Sequence, residues 1–119
     1  MAPKDVGLDK GFVSSQTCYM ETLEIFQALA NDRRLLILEW LKDPEANFRP
    51  QVDGDLLRDG VCAVLIAEKL GISQPTLSEH MRVLCQARLV QSKKIKQWTF
   101  YKRDEPLIKK FTKSIAADL

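Results

Sequence analysis

This chain has no run of about 18 apolar residues, so no segment of it reads as a membrane-spanning helix. It has no Cys-x-x-Cys pair. Its three cysteines, Cys18, Cys62 and Cys85, are scattered and odd in number, which argues against a secreted disulfide framework and a standard zinc ribbon. His80 is the single histidine. It lies five residues from Cys85 on one expected helix, a spacing that points the two side chains in different directions. No third group is placed to orient them. With no paired carboxylates, activated nucleophile or phosphate loop either, the chain offers little on which to build an enzyme. The N-terminus, MAPKDVGLDKGF, lacks an apolar stretch and carries acids, so the expectation is a cytoplasmic protein without a secretory signal. Internal repeats and low-complexity tracts are missing as well.

What is present is ordinary globular composition: 119 residues, 45% hydrophobic and 29% charged. That length suits one domain, and a chain of this size hides roughly 60–70% of its unfolded surface, enough for a core. The net charge of +2 conceals an asymmetry. Residues 1–90 hold ten Lys or Arg against thirteen Asp or Glu, whereas residues 91–113 hold eight basic residues and only Asp104 and Glu105. A clustered basic segment on a nearly neutral protein is an electrostatic footprint for nucleic acid, but a solvated charged surface has the same composition.

Hydrophobic spacing supplies the organisation. Residues 1–14 have no periodicity and read as a flexible arm, leaving 15–119 as a single folded domain. TCYMETLEIFQALAND puts Met20, Leu23, Phe26 and Ala30 on one helical stripe. Asp32 is placed to cap a second helix, RRLLILEWLK, whose Leu35, Leu36, Ile37, Leu38 and Leu41 are apolar nearly all round and predict a buried central helix. Residues 43–60 read as a long solvated loop with room for a short turn or strand, and loops of this length are often functional. Its spaced Asp53, Asp55 and Asp59 lack the ligand pattern and terminal Glu of a calcium loop.

VCAVLIAEKLG predicts a short helix closed by Gly71. Ser73 then caps a helix with Pro75 in its first turn, reaching about Ala87, with Leu77, Met81 and Leu84 inward. Two helices joined by a tight glycine-containing turn make a helix-turn-helix. LVQSKKIKQWTFYKR alternates with period two on either side of a short polar turn, a β-hairpin signal. PLIKKFTKSIAADL closes the chain as an amphipathic helix starting near Pro106, with Leu107, Ile108, Phe111 and Ile115 as its stripe. The expected fold is mainly α with a small β-hairpin: a winged helix-turn-helix.

Such a helix fits the major groove of B-DNA, where side chains near its N-terminus read base edges. Gln74, Thr76, Ser78 and Glu79 lie on or beside the face opposite Leu77, Met81 and Leu84. Gln is suited to adenine, Ser and Thr to bases or phosphates, and Glu to cytosine N4. Ser73 and the backbone N–H groups at the helix start suit a phosphate oxygen, and Arg82, one turn beyond Ser78, suits another. His80 is a candidate either for DNA or for a neighbouring helix. Lys93, Lys94 and Lys96 are expected near the DNA backbone or minor groove. Trp98, Phe100 and Tyr101 have strand spacing and read as sheet and core residues rather than base-stacking ones. The competing class is a winged-helix module that contacts proteins or shapes DNA without reading it.

The runs IFQALANDRRLLILEWL, IAEKLGISQPTLSEHMRVLCQARLVQSKK and QWTFYKRDE resemble the ArsR/SmtB family of bacterial winged-helix repressors, over about Met20 to Glu105 apart from the long loop. The resemblance implies a homodimer built from the first and last helices, here Met20, Leu23 and Phe26 with Leu107, Ile108 and Phe111. It implies a near-palindromic double-stranded operator, with Gln74, Ser78 and His80 in the DNA-reading segment, and release by an inducer. Several features depart from the family pattern. Cys62 matches one thiol of the metal-sensing C-V-C-D-like motif, but Val64 and Leu65 stand for its second thiol and acid. The last helix lacks the histidines of the zinc-type site. Lys96 stands where the wing turn often has glycine, and the 43–60 loop is longer than usual. No firm metal site is expected. Cys18 and Cys62 remain candidate thiols for arsenite, another thiophilic metal ion or an oxidant.

Overall fold

The computed structural model describes residues 21–119. The expected arm at 1–14, Cys18 and Met20 lie outside them. Helix α1 covers residues 21–29 and turns Ile25 and Ala28 into the core. Its Leu23 and Phe26 stay 57% and 42% exposed. The stripe expected from the sequence therefore faces away from the chain's own core, and Phe26 meets the ring of Phe111 edge-on at 5.5 Å.

Helix α2 spans Asp32–Lys42. Its cap is Asn31, not Asp32: the Asn31 side chain accepts from the Arg34 N–H at 3.1 Å. Asp32 sits one place further in, where its charge suits the positive end of the helix. The expectation of burial all round also fails. Ile37, Leu38 and Leu41 are buried, but Leu35 and Leu36 are exposed, because one stripe suffices to anchor the helix.

The 43–60 stretch is more ordered than a solvated loop. Pro44–Asn47 forms a one-turn helix, α3, after which Phe48 packs edge-on against Trp40. Further on, the acids wrap a turn of their own. Asp55 Oδ1 accepts from the Leu57 and Arg58 N–H groups, and Asp59 Oδ2 accepts from the Asp55 N–H. Leu56 and Asp59 are buried. Gly60 follows with φ +105°, and a Cβ there would strike the Tyr101 carbonyl oxygen, so the chain passes β3 too closely for a side chain.

That close pass creates a strand the sequence did not signal. Val61–Cys62 forms β1, pairing with β3 through Val61 opposite Tyr101 and Cys62 opposite Phe100. The helix expected from Val61 therefore starts at Ala63: α4 is Ala63–Leu70. Gly71 ends it at φ +70°, and the Gly71 and Ile72 N–H groups both bond to the Ala67 carbonyl. Helix α5, Gln74–Gln86, follows across this turn. The hairpin is β2, Val90–Ile95, and β3, Trp98–Arg103, joined through Lys96–Gln97. The sheet order is β1-β3-β2, all antiparallel. Helix α6, Glu105–Asp118, is capped by Asp104, whose Oδ1 accepts from the Leu107 N–H.

The core gathers Ile37 of α2, Val61 of β1, Ile66 of α4, Leu77, Met81 and Leu84 of α5, and Leu89, all essentially dry, while Tyr101 of β3 leans on it and Phe100 is buried on the other sheet face, against Gly54. Helix α6 buries no residue fully; its Leu107, Ile108 and Phe111 only lean on this core. The described residues therefore form a winged helix-turn-helix with one thinly covered end, where α1 and α6 meet.

Candidate nucleic-acid interface

Helix α5 is held by Leu77, Met81 and Leu84, which are 1%, 0% and 0% exposed. Burying each stabilises the docked helix by about 1.5–3 kcal/mol, and their spacing turns Gln74, Thr76, Ser78, Glu79 and Arg82 outward into solvent. Ser73 is the N-cap: its hydroxyl accepts from the Thr76 N–H at 3.3 Å and lies 2.9 Å from the Thr76 hydroxyl. Pro75 occupies the first turn, where its missing N–H costs little. With the Leu77 N–H bonded to the Ser73 carbonyl as well, the Gln74 N–H is the one left open in that turn, at the end of the helix that favours an anion.

The exposed side chains differ in how committed they are. Arg82 bonds to both carboxylate oxygens of Glu79, at 3.1 and 2.6 Å, and to Gln86 Oε1 at 2.9 Å. This neighbour holds the Glu79 carboxyl below the usual carboxylate range. Among the described residues, no side-chain hydrogen bond engages Gln74 or Ser78. They stand four residues apart on one face, exposed and uncommitted.

His80 turns toward a neighbouring helix. Arg34 Nη1 of α2 lies 3.3 Å from His80 Nδ1, while Arg34 Nε and Nη2 bond to the carbonyls of Ala28 and Gln27 at the end of α1. Partial burial, then the charges of Arg34 and Arg33, push the His80 pKa down. Both effects favour the neutral ring, whose Nδ1 can accept from Arg34. Sequence reasoning missed Arg34, whose partner lies 46 residues away; its one signal was a charge inside an apolar run.

The wing lysines do not form one patch. Lys93 Nζ reaches Asp59 Oδ1 at 2.5 Å, and Lys96 Nζ reaches Asp53 Oδ1 at 3.1 Å. Lys93 and Phe100 are cross-strand partners on the sheet face covered by the 49–60 segment, whereas Lys94 pairs with Thr99 on the other face. Among the described residues, no acid engages Lys94. Asp59 is 3% exposed and also accepts from Arg58; with Lys93 and the Asp55 N–H, this holds its carboxyl far below the usual range. Lys96 leads the hairpin turn at φ +57°, the left-handed position where glycine is the unstrained choice.

Comparison with known proteins agrees with this geometry. The family described as bacterial regulatory protein, arsR family, matches residues 56–92, which cover α4, α5 and the start of β2. An HTH-type transcriptional regulator of Bacillus subtilis, YbzH, is 39% identical over 100 residues, covering 84% of this chain and 100% of the relative. Among solved structures, HlyU from Vibrio cholerae superposes with a TM-score of 0.58 at 26% identity, over 82% of this chain and 89% of that one. The winged helix-turn-helix DNA-binding domain of Mb0332 from Mycobacterium bovis, described as homodimeric, gives 0.62 at 23% identity over 87% and 84%.

The two wing lysines should separate in a thermal melt. Lys93→Ala strips a partner from a buried carboxylate and should lower Tm at pH 7, while Lys94→Ala should leave Tm unchanged. The native-state pKa of Asp59 is depressed, so its contribution is full above the unfolded value of about 4 and is lost as pH falls through the folded value. The Lys93→Ala deficit should therefore narrow on acidification below about pH 4. Equal melting of the two variants at pH 7 would show that the Lys93–Asp59 pair does not stabilise the fold.

Proposed function

This chain belongs to the ArsR family of bacterial helix-turn-helix transcriptional regulators, and on that premise we propose that it is a homodimeric repressor that reads a near-palindromic operator and leaves it when an inducer acts. The observation that carries this reading is the free first part of α5. Gln74 and Ser78 are solvated and uncommitted on a helix whose other face is locked in the core. Gln74 reads adenine, Ser78 and Thr76 contact bases or phosphate, and Ser73 with the open Gln74 N–H holds a phosphate. Glu79 and Arg82 are a mutually neutralised pair that opens only where a cytosine or phosphate takes one partner. His80 positions the helix through Arg34. Lys94 is the wing's available phosphate contact, with Lys93 and Lys96 secondary to it.

The dimer is built on the thinly covered end. Leu23 and Phe26 are exposed, Phe111 already touches Phe26, and Leu107 and Ile108 are half-buried beside them. Met20 continues the stripe by sequence spacing. A second copy laid on this surface sets two α5 helices toward half-sites about 34 Å apart, one turn of DNA.

Release by arsenite, another thiophilic metal ion or an oxidant would use Cys62 and Cys18. Among the described residues no group of three or more His, Cys, Asp or Glu is placed to hold a metal ion, so such a site needs Cys18, from the same chain or a second copy. Burial pushes the Cys85 thiol pKa up, which keeps it protonated and a poor ligand.

Three measurements test the proposal. In a salt-titrated shift assay on the gene's own upstream DNA, Gln74→Ala should lose about 1–3 kcal/mol of discrimination against random DNA. Lys94→Ala should weaken all sequences alike and reduce the log–log salt slope by about 1. Equal binding to operator and random DNA would instead indicate an architectural or protein-binding module. In sedimentation equilibrium, Leu23→Glu, at an exposed site, should weaken dimerisation at least about tenfold, since a buried carboxylate without a partner is costly; an unchanged dimer would move the interface elsewhere. Arsenite or a mild oxidant should release DNA from the native protein but not from Cys18→Ser or Cys62→Ser, and a native complex that survives both treatments rules out thiol release.

A further inference from the structure

A cavity of about 250 Å³ lies away from the reading face of α5, between the 49–53 segment, the head of α4 and the face of β3 that carries Trp98 and Phe100. Its walls are Pro50, Val52, Cys62, Val64, Trp98 and Phe100. The back wall is rigid: Phe100 is 1% exposed, and Gly54, at φ +81°, brings the backbone so close that a Cβ would lie 2.8 Å from the Phe100 ring. The rim is apolar and open. Val52 is 101% exposed, and Trp98 and Val64 are half-buried.

The polar groups around the cavity are already occupied. Gln51 Oε1 accepts from the Cys62 N–H at 2.6 Å, and Gln51 Nε2 donates to the Gly60 carbonyl at 3.0 Å. Arg49 is paired with Glu68 at 3.3 Å, and Asp53 with Lys96 at 3.1 Å. Among the described residues, each charge on the lining already has a counter-charge, while an apolar ligand would gain burial of its own surface and of Val52 and Trp98. A cavity of about 150 Å³ suffices for benzene, so this one has room for a one- or two-ring molecule. The Cys62 sulfur adds a polarizable wall that suits an aromatic ring.

We propose that this cavity is a binding site for a small, uncharged, predominantly apolar organic molecule of aromatic-ring size. An occupant rests on Trp98, the first residue of β3 after the wing turn, and on the segment whose Asp53 holds Lys96. The site therefore borders the wing and the acidic segment at once. The site needs no metal and no second thiol, and its existence does not depend on whether the protein is a repressor.

The probe is toluene, with benzoate as its charged counterpart, titrated into the isotopically labelled full-length protein and followed by amide and indole NMR shifts. Toluene should give saturable shifts at the Trp98 indole and at the Val52, Val64 and Cys62 amides, with a dissociation constant on the order of a millimolar for so few atoms. Benzoate should bind at least about tenfold more weakly, because its carboxylate would lose water against an apolar wall and Arg49, the one cation on the described lining, is already paired with Glu68. Val52→Asp, at a fully exposed position, should weaken toluene at least about tenfold without loss of fold, and Val64→Phe should block it by occupying the space. Absence of saturation would overturn the proposal. So would shifts centred on Leu77, Met81 and Leu84, shifts insensitive to both variants, or benzoate binding as tightly as toluene.

Discussion

Everything exposed on α5 follows from what it must hide. Leu77, Met81 and Leu84 recur at i, i+4 and i+7, and their burial fixes the rotation of the helix about its axis. With that rotation set, Gln74 and Ser78 have nowhere to point but outward. Gly71 and Ser73 then fix where the helix begins, the first by its left-handed backbone and the second by closing the first turn. The face proposed to read DNA is thus the complement of a packing face, and the two cannot be altered independently.

Arg34 extends that control across the molecule. One guanidinium holds two carbonyls at the end of α1 and reaches the ring of His80 in α5. The helix proposed to meet a second copy is therefore tied to the helix proposed to meet DNA by one side chain rather than a long chain of contacts. A neutral His80 completes the tie, and its partial burial with the charges of Arg34 and Arg33 favours that form. A change in how α1 packs would reach α5 first at this point.

The sequence showed most clearly those elements whose cause is local. Gly71 and Ser73 announce a helix end and a helix start, and the period-two alternation through Val90–Arg103 announces the hairpin, because each signal lies within a few residues of its effect. The reading failed where the cause was distant. The β1 pair at Val61–Cys62 exists because β3 offers a free edge some forty residues later, overriding a pattern that locally reads as helix. Lys93, Lys94 and Lys96 look equivalent along the chain, yet two are taken by Asp59 and Asp53 across 34 and 43 residues. Spacing cannot decide between DNA and a neighbouring helix for His80, because Arg34 lies 46 residues away in sequence. At α2 the error was one residue: Asn31 and Asp32 are both good caps, and only the backbone geometry separates them.

The pairing under the wing also bears on how the hairpin meets a polyanion. Lys93 and Lys96 come with tethered carboxylates already in place. A phosphate that takes either lysine must evict an aspartate, and Asp59, 3% exposed, has little water to retreat into. Ordinarily a lysine landing on DNA gains from the loose cations it sets free. Here part of that gain is offset by stranding an anion inside the protein. The wing thus behaves as an arm of lower valence than its sequence suggests. For the operator reading proposed above, this shifts the weight of discrimination toward neutral hydrogen bonds from α5 and away from the attraction that brings the two molecules together.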